Sequence, residues 1–248
     1  MSEEYEYLGN LECPDLRPNF KHVTFRAMPH SFGRLVPSDW SDKADGDPIF
    51  GIYKRCGMWC REEAAILYNA ALASGPSWVD IGAHTGWTTA HLINAAVDVT
   101  AIDPMLRLQG FQERFEANMA EWFDALHETS YLRSDEWFAM GQGVFDGFCI
   151  DGDHEPGKPL EDAWNAWRHL APTGVIIFHD FIGRPVRDAV AWLMDQGFKC
   201  RLYFTPHMVA LCWRGDYEPP YHVPDARLLL ELRPHLAQMK DFDFGKCV

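Results

Sequence analysis

The sequence predicts an α/β fold in which a mostly parallel, seven-stranded sheet carries helices on both faces. Short strand patterns alternate with helical patterns from residue 57 onward, and such alternation is typical of parallel sheets. The strand patterns are continuously apolar, as expected for strands that are buried on both faces. Only Thr205-Pro206-His207 separates the last two strand patterns, so we expect a hairpin that adds an antiparallel strand at one edge.

The first elements are predicted from composition and from stop signals. An Ala-rich helix over 62–73 ends at Ser74-Gly75-Pro76, because glycine and proline stop a helix. A short apolar strand at 78–81 then gives way to glycines. A helix over 88–96 and a second strand over 99–102 complete a strand–helix–strand unit.

The later elements are predicted from spacing. Large apolar residues recur three and four positions apart between Leu108 and Leu126, which predicts one long amphipathic helix. A third strand is expected near Tyr131, although its pattern is weak. The remaining predictions are strands at 145–150, 174–178, 198–204 and 208–213, with helices at 160–170 and 186–193.

The chain is predicted to have three segments: an N-terminal arm at 1–56, a central domain at 57–215 and a C-terminal extension at 216–248. The arm is irregular and rich in proline, with one short strand at 22–26, and it either covers a site or wraps the core. The extension contains an amphipathic helix, with Leu228 and Leu232 on one face, which Pro234 should kink or split. This face packs on the parent domain or contacts a second copy of the chain in a homo-oligomer, and both alternatives stay open.

Composition and charge restrict the class of partner. Hydrophobic residues make up 47% of the 248 residues and charged residues 23%, as in globular proteins. The 36 acidic residues outnumber the 22 basic ones, and the net charge of −14 opposes non-specific binding to nucleic acid. The first residues lack the features of a secretory signal, and no apolar stretch reaches the roughly 20 residues that a membrane span needs. We therefore expect a cytoplasmic protein with neither a nucleic-acid nor a membrane partner.

A loop from Asp80 to Gly86 follows the first strand of the domain and opens a helix. Its spacing is Asp-x-Gly-x-x-x-Gly rather than Gly-x-Gly-x-x-Gly, so a nicotinamide dinucleotide is the less favoured ligand. The carboxylate of Asp80 can accept a hydrogen bond from an ammonium group. Asp103, at the end of the second strand, can receive both hydroxyls of a ribose. The pattern favours a ligand with an amino acid at one end and a nucleoside at the other.

This pattern resembles the class I S-adenosylmethionine-dependent methyltransferases, with Asp80 to Gly86 matching their first motif and Asp103 the second. The resemblance implies a Rossmann-like fold and S-adenosylmethionine as the cofactor. In that family the residues after the third strand touch the adenine, and this chain has Ser134 and Asp135 there. The implied cofactor site consists of Asp80, Gly82, His84, Gly86, Thr88, Asp103, Ser134, Asp135 and Asp151.

A second group of polar residues follows two later strands. Asp151, Asp153 and His154 come after one strand, and His179 and Asp180 come after the next. The carboxyl ends of parallel strands lie at one edge of a sheet, so these groups should share a cleft with the glycine loop. Crowded carboxylates raise each other's pKa, and proteins tolerate them where a cation or a reacting group lies between them. Such oxygen ligands suit Mg²⁺.

The segment from Asp151 to Asp180 resembles a branch of small-molecule O-methyltransferases that includes sugar-modifying enzymes of antibiotic pathways. In the metal-using members, carboxylates matching Asp151 and Asp180 hold a divalent cation, and one matching Asp153 is proposed as a base. Those members tend to carry two adjacent acids where this chain has His179 before Asp180, and histidine suits transition metals better than Mg²⁺. The resemblance implies methyl transfer to a hydroxyl of a small-molecule substrate.

The catalytic candidates are Asp153, His154 and His179. In one hypothesis Asp153 or His154 takes the proton of the acceptor hydroxyl, while a divalent cation on Asp151 and Asp180 orients that hydroxyl. In another, a histidine acts without a metal, because its ordinary pKa of about 6.5 allows proton transfer at neutral pH. Two other functions stay open, namely a metal-dependent hydroxylase that uses Asp151, His154 and His179, and a non-catalytic cofactor-binding subunit.

Overall fold

The computed structural model describes residues 7–20, 23–27, 35–38, 59–95 and 98–247. Two short strands, β1 (Thr24–Ala27) and β2 (Leu35–Ser38), form an antiparallel pair. The main sheet consists of β3 (Ser77–Ile81), β4 (Asp98–Ile102), β5 (Leu126–Ser130), β6 (Phe145–Ile150), β7 (Leu170–Phe178), β8 (Lys199–Tyr203) and β9 (Val209–Trp213). Their order across the sheet is β5-β4-β3-β6-β7-β9-β8.

The predicted mostly parallel sheet is confirmed. β3 pairs in parallel with β4 and β6, β4 with β5, and β6 with β7. β9 is antiparallel to both β7 and β8, so the predicted hairpin lies at one edge of the sheet, with β8 as the outermost strand. The five residues of β9 are all buried, whereas β8 contains Lys199 and Arg201 and is only partly buried, which suits the outer position.

Helices cover both faces of the sheet, as predicted. One core lies under α1 (Arg61–Leu72), α2 (Trp87–Asn94) and α3 (Gln109–Asn118), and the other under α4 (Ser134–Phe138), α5 (Lys158–His169), α6 (Arg184–Asp195) and α7 (Ala226–Gln238). Side chains alternate across a strand, so Trp78 enters the first core while Val79 and Ile81 enter the second.

The single long helix predicted over 108–126 was wrong in its second half. α3 ends at Asn118, and Leu126 begins β5. The spacing of three and four residues continues past the end of the helix because Met119, Trp122 and Leu126 still pack on the same core. The weakly marked third strand is therefore β5, which ends at Ser130, just before the predicted position.

The C-terminal helix packs on its own domain. Leu228 and Leu232 of α7 are buried in the core that also contains Val190 of α6. α7 continues through Pro234, so of the two expected outcomes, a kink or a split, the split does not occur. Pro234 and Leu230, whose carbonyl loses a helical hydrogen bond to it, are both exposed, so water can replace that bond. None of the helices in the described ranges combines the length and apolar character needed to cross a membrane.

Part of the N-terminal arm wraps the core. Leu16 and Phe20 are buried in the core, and the Phe20 ring packs edge-on against Trp87, with 5.0 Å between the ring centroids. The strand predicted at 22–26 corresponds to β1, which begins at Thr24, although residue 22 lies outside the described residues. β2 was not predicted, because four residues among prolines and glycines carry too little pattern.

Candidate active site

The loop from β3 to α2 requires glycine at two positions. Gly82 has φ +92°, and a Cβ atom there would overlap the backbone carbonyl of Asp151 at the end of β6. Gly86 also has φ +92° and precedes the first residue of α2, and a Cβ there would lie 2.7 Å from the Met119 sulfur. The glycine loop therefore passes directly against the Asp151 segment, as the two strand ends predicted.

Asp80 anchors the helix that follows the loop. Its carboxylate is fully buried, and Oδ2 accepts hydrogen bonds from the hydroxyls of Thr88 (2.8 Å) and Thr89 (2.6 Å). Burial raises the pKa of Asp80 from 3.8 to about 6, although the threonine hydroxyls act in the opposite direction. These contacts tie the start of α2 to β3, and the contact between Asp80 and an ammonium group stays a prediction.

Asp103 follows β4 and holds the loop from the other side. Its Oδ2 accepts the backbone N–H of His84 and its Oδ1 that of Met105, each at 2.8 Å. His84 has φ +46°, which is uncommon for a residue with a Cβ, and its ring packs edge-on against Phe111 at 5.2 Å. A carboxylate has about four acceptor positions, so Asp103 keeps the capacity that the predicted ribose contact needs.

Ser134 and Asp135 begin α4, shortly after the end of β5. The Ser134 hydroxyl donates to Oδ1 of Asp162 at 2.5 Å, whereas Asp135 pairs with Arg133 at the surface, at 3.1 Å. Asp162, a buried acid of α5, was not singled out in the sequence, because its position in an amphipathic helix looks like that of any other polar residue. Burial raises the pKa of Asp162 from 3.8 to about 6.

Replacing Asp162 by asparagine should reduce the pH dependence of stability. Because the folded-state pKa exceeds the ordinary one, the folded protein binds more protons, and its stability falls as the pH rises from about 4 to about 6. The shift corresponds to a loss on the order of 3 kcal/mol. The free energy of unfolding in urea, measured at pH 4 and pH 7, should drop less for Asp162→Asn than for the parent protein. Asp135→Asn, at the surface, is the control, and equal drops in all three proteins would contradict the expectation.

The ends of β6 and β7 bring together an acid–histidine cluster consisting of Asp151, His154, His179 and Asp180. His154 Nε2 lies 3.6 Å from Asp151 Oδ1 and from Asp180 Oδ2, and His179 Nδ1 lies 3.4 Å from each of the same two oxygens. Asp180 has φ +54°, in a turn closed by a hydrogen bond from the Gly183 N–H to its carbonyl at 2.7 Å. Residues other than glycine that have such a positive φ are found preferentially at functional sites.

Asp153 lies outside the acid–histidine cluster. Its carboxylate is exposed and accepts the backbone N–H of Glu155 at 2.9 Å. The side chain of His154 lies against Asp151 and Asp180 instead. Of the two candidate bases, His154 is therefore the one that the fold joins to the carboxylates, and a role for Asp153 stays a prediction.

Two residues that the sequence analysis missed, Glu63 and Trp59, surround the buried side of His179. Glu63, in the first turn of α1, is hydrogen-bonded to His179 Nε2 at 3.2 Å and accepts the backbone N–H of His207 at 3.0 Å. Trp59 stacks on the His179 ring at 4.7 Å and donates its indole N–H to Asp151 Oδ2 at 2.9 Å. Glu63 carries no distinctive signal, because acidic residues are common in the first turn of a helix.

Neighbouring groups of opposite charge shift the pKa values of Glu63 and His179. Burial alone would raise the pKa of Glu63, but the neighbouring histidines hold it well below its usual range. Burial likewise opposes the imidazolium of His179, but Asp151, Asp180 and Glu63 raise the pKa of His179 well above its usual range. Because an ionised carboxylate only accepts hydrogen bonds, His179 Nε2 is the donor to Glu63.

Residues 79–181, from β3 to the end of the acid–histidine cluster, match a family model described as a methyltransferase domain. Among curated protein sequences, none matches the chain.

Several solved structures have a similar fold. The O-methyltransferase TomG from Streptomyces achromogenes, solved in complex with SAM, aligns with a TM-score of 0.52 at 15% identity, over 64% of this chain and 82% of its own. The SAH-bound methyltransferase PaMTH1 from Podospora anserina aligns with a TM-score of 0.54 at 12% identity, over 64% of this chain and 80% of its own. A methyltransferase from Geobacter sulfurreducens aligns with a TM-score of 0.54 at 17% identity, over 70% of this chain and 89% of its own.

At these identities the structural likeness concerns the fold, while the family match concerns the segment that carries the candidate site. Both agree with the resemblance predicted from the glycine loop. Residues 79–181 therefore resemble a methyltransferase domain, and the sheet around them has the fold of methyltransferases that were solved with SAM or SAH.

Proposed function

We propose that this chain transfers a methyl group from S-adenosylmethionine to a hydroxyl of a small molecule. The observation that carries the proposal is the contact between the two halves of the site. The backbone N–H of Asp151 donates to the Ile81 carbonyl at 2.9 Å, and Gly82 passes against the Asp151 carbonyl. A cofactor held by the glycine loop would therefore face the acid–histidine cluster.

S-adenosylmethionine supplies a methyl group that its sulfonium centre activates toward nucleophiles. Asp103 would hold the ribose hydroxyls, and Ser134 and Asp135 would lie beside the adenine. The glycine loop would meet the amino-acid end, because Gly82 and Gly86 let the backbone approach a ligand closely. The spare acceptor capacity of Asp103 supports this fit. Proteins of the same fold that were solved with SAM or SAH support the choice of cofactor.

The acid–histidine cluster has the composition of a divalent-cation site. Asp151, His179 and Asp180 each offer a ligand atom, and these atoms all lie within 4.8 Å of one another. A bound cation would lower the pKa of an acceptor hydroxyl and fix its position. Asp151 and Asp180 are the ligands that the sequence predicts.

His154 is the best-placed base. Its side chain is 28% exposed, so it can meet a hydroxyl that enters from solvent, while Asp151 and Asp180 flank its ring. These carboxylates can orient the imidazole for proton transfer, as carboxylates do in other acid–histidine pairs. An alcohol is a weak nucleophile, so removal of its proton is needed for methyl transfer.

Incubation of the protein with S-adenosylmethionine and extracts rich in hydroxylated metabolites should give a product heavier by one methylene unit, detected by mass spectrometry. With that substrate, His154→Gln should lower turnover by about 10²- to 10⁴-fold, with cofactor affinity unchanged in calorimetry. Asp153→Asn, one residue away, is the comparison, and a larger loss there would make Asp153 the base. No methylated product with any hydroxylated compound would refute the proposal.

The hydroxylase alternative has less support. The family match describes a methyltransferase domain, and a methyltransferase needs no oxygen-activating centre. The non-catalytic alternative is disfavoured by the acid–histidine cluster, whose buried charges are costly to retain without a function.

A further inference from the structure

We propose that Asp162 selects adenine as the base of the cofactor, because its Oδ2 atom accepts a hydrogen bond from the exocyclic amino group. The inference rests on the proposed function, which puts the adenine beside Ser134, and it adds a specificity-determining residue from a different element of the fold. Recognition of the base can be measured by binding alone, without methyl transfer.

Asp162, a residue of α5, lies beside the position predicted for the adenine. Its Oδ1 atom accepts the hydroxyl of Ser134, the first residue of α4, at 2.5 Å. Its Oδ2 atom lies 3.6 Å from the Cβ position of Gly152, which follows β6, and Ile81 Cγ2 lies 3.3 Å from the same position. Ile81 is the last residue of β3, so the carboxylate lies near the edge of the sheet at which the glycine loop begins.

The two oxygens of this carboxylate differ in what they bind. Oδ1 has the Ser134 hydroxyl, whereas no residue in the described part of the chain donates a hydrogen bond to Oδ2. Asp162 is only 4% exposed, and a buried acceptor without a donor is costly to retain. A ligand that brings a donor to Oδ2 would remove this cost.

The charge of Asp162 indicates what the ligand must supply. Burial raises the pKa of Asp162 to about 6, so at neutral pH the group is a carboxylate, which can only accept hydrogen bonds. Lys158, the nearby cation that lowers this pKa, pairs with Glu161 at 2.8 Å. A neutral asparagine could accept the Ser134 hydroxyl equally well, so that contact alone does not explain a charge here. The expected ligand therefore carries an N–H or O–H donor.

Adenine supplies such a donor at the edge of its ring. Its exocyclic amino group carries two N–H donors, whereas hypoxanthine has a carbonyl oxygen at the same position. A carbonyl oxygen opposite Oδ2 would bring two acceptors together and leave both unpaired. Buried polar groups that a wrong ligand leaves unpaired are what allow a site to reject a closely similar molecule.

Asp135 is the other acid that the sequence places near the adenine. Its side chain is 38% exposed and pairs with Arg133 at 3.1 Å. Water can replace a donor that is lost at an exposed position, so such a contact discriminates little between bases. Asp162 is buried, where a lost donor is not replaced, and it is therefore the acid that can discriminate.

The test compares the binding of S-adenosylhomocysteine and S-inosylhomocysteine, in which a carbonyl replaces the amino group, by calorimetry at about pH 8. The parent protein should bind S-inosylhomocysteine about 10- to 100-fold more weakly, as expected for one hydrogen bond to a charged group. Asp162→Asn should reduce this preference by at least about 10-fold, because its amide can turn an N–H toward the carbonyl oxygen. Glu161→Gln is the matched control, since it removes a negative charge from a more exposed, neighbouring position that pairs with Lys158, and it should keep the preference.

Two further variants separate direct recognition of the base from other roles. Asp162→Ala offers neither a donor nor an acceptor, so it should also lose the preference, and it covers the case in which Asp162→Asn does not fold. Ser134→Ala should weaken the binding of both compounds but keep the preference. Equal binding of both compounds by the parent protein, a preference that survives in Asp162→Asn, or loss of the preference in Ser134→Ala would overturn the inference.

Methyl transfer is measured separately, with S-adenosylmethionine. Transfer by a protein that shows no preference between the two bases would overturn the inference and leave the proposed function standing. The expected preference without any transfer would support the inference and count against the proposed function. No binding of S-adenosylhomocysteine would overturn both.

Discussion

Asp103→Asn should weaken the binding of S-adenosylmethionine by at least about 100-fold while the sheet remains folded. Hydrogen bonds to a charged group contribute about 1.5–3 kcal/mol each, so the loss of two ribose contacts corresponds to a factor of about 10² to 10⁴ in the dissociation constant. The amide also turns an N–H₂ group toward the backbone N–H of His84 or Met105, which Asp103 now accepts. The loop would therefore lose part of its support as well as its ligand contact.

The dissociation constant is measured by calorimetry, and circular dichroism reports the integrity of the sheet. Asp98→Asn provides the matched control, since Asp98 lies at the opposite end of the same strand, is exposed and changes charge identically. It should bind the cofactor as the parent protein does. If Asp103→Asn binds equally well, Asp103 serves only to hold the loop, and the amino-acid–nucleoside interpretation of the glycine loop fails.

Most of the fold was predictable because it depends on local patterns. Continuous apolar strands between amphipathic helices gave the parallel sheet, and the turn at 205–207 gave the antiparallel pair. The position of β9 between β7 and β8 was not predictable from that turn, because a hairpin fixes direction but not which strand joins the sheet. The end of α3 was missed because core packing continues through Trp122 after the helix has stopped.

The sequence could predict the site residues that directly follow strands. It could not predict those that reach the site only through tertiary packing. Gly82, Asp103 and Asp151 follow three parallel strands, so topology alone brings them to one edge. Glu63 and Trp59 come before β3 in the chain, and only tertiary packing brings them to His179. The contact of Glu63 with His179 spans 116 positions of the chain and that of Trp59 with Asp151 spans 92, so neither leaves a local signal.

Gly82→Ala should have the largest combined effect on stability and activity of any single change in the glycine loop. A residue with a Cβ pays about 1–2 kcal/mol for the left-handed conformation that Gly82 adopts. The new methyl group would in addition overlap the Asp151 carbonyl, and overpacking of this kind costs about 1–3 kcal/mol more. Backbone atoms at the end of β6 cannot move aside as a flexible side chain would, so the clash must displace the loop or Asp151.

Gly197→Ala separates the two contributions. Gly197 has φ +88°, close to the +92° of Gly82, but nothing lies within 4 Å of its Cβ position, so it reports the conformational cost alone. Urea unfolding should show that Gly82→Ala loses about 1–3 kcal/mol more than Gly197→Ala, which is the overpacking contribution.

Activity should separate the two variants further. A displacement of about 1 Å at a reacting centre can cost a factor of about 10² in rate, so folded Gly82→Ala should lose methyl transfer by at least that factor, while Gly197→Ala keeps it. Equal stability losses together with retained activity in Gly82→Ala would show that the glycine loop and the Asp151 segment do not act as one unit. The close approach of their backbones would then be a consequence of packing, and the proposal that the cofactor faces the acid–histidine cluster would lose its main support.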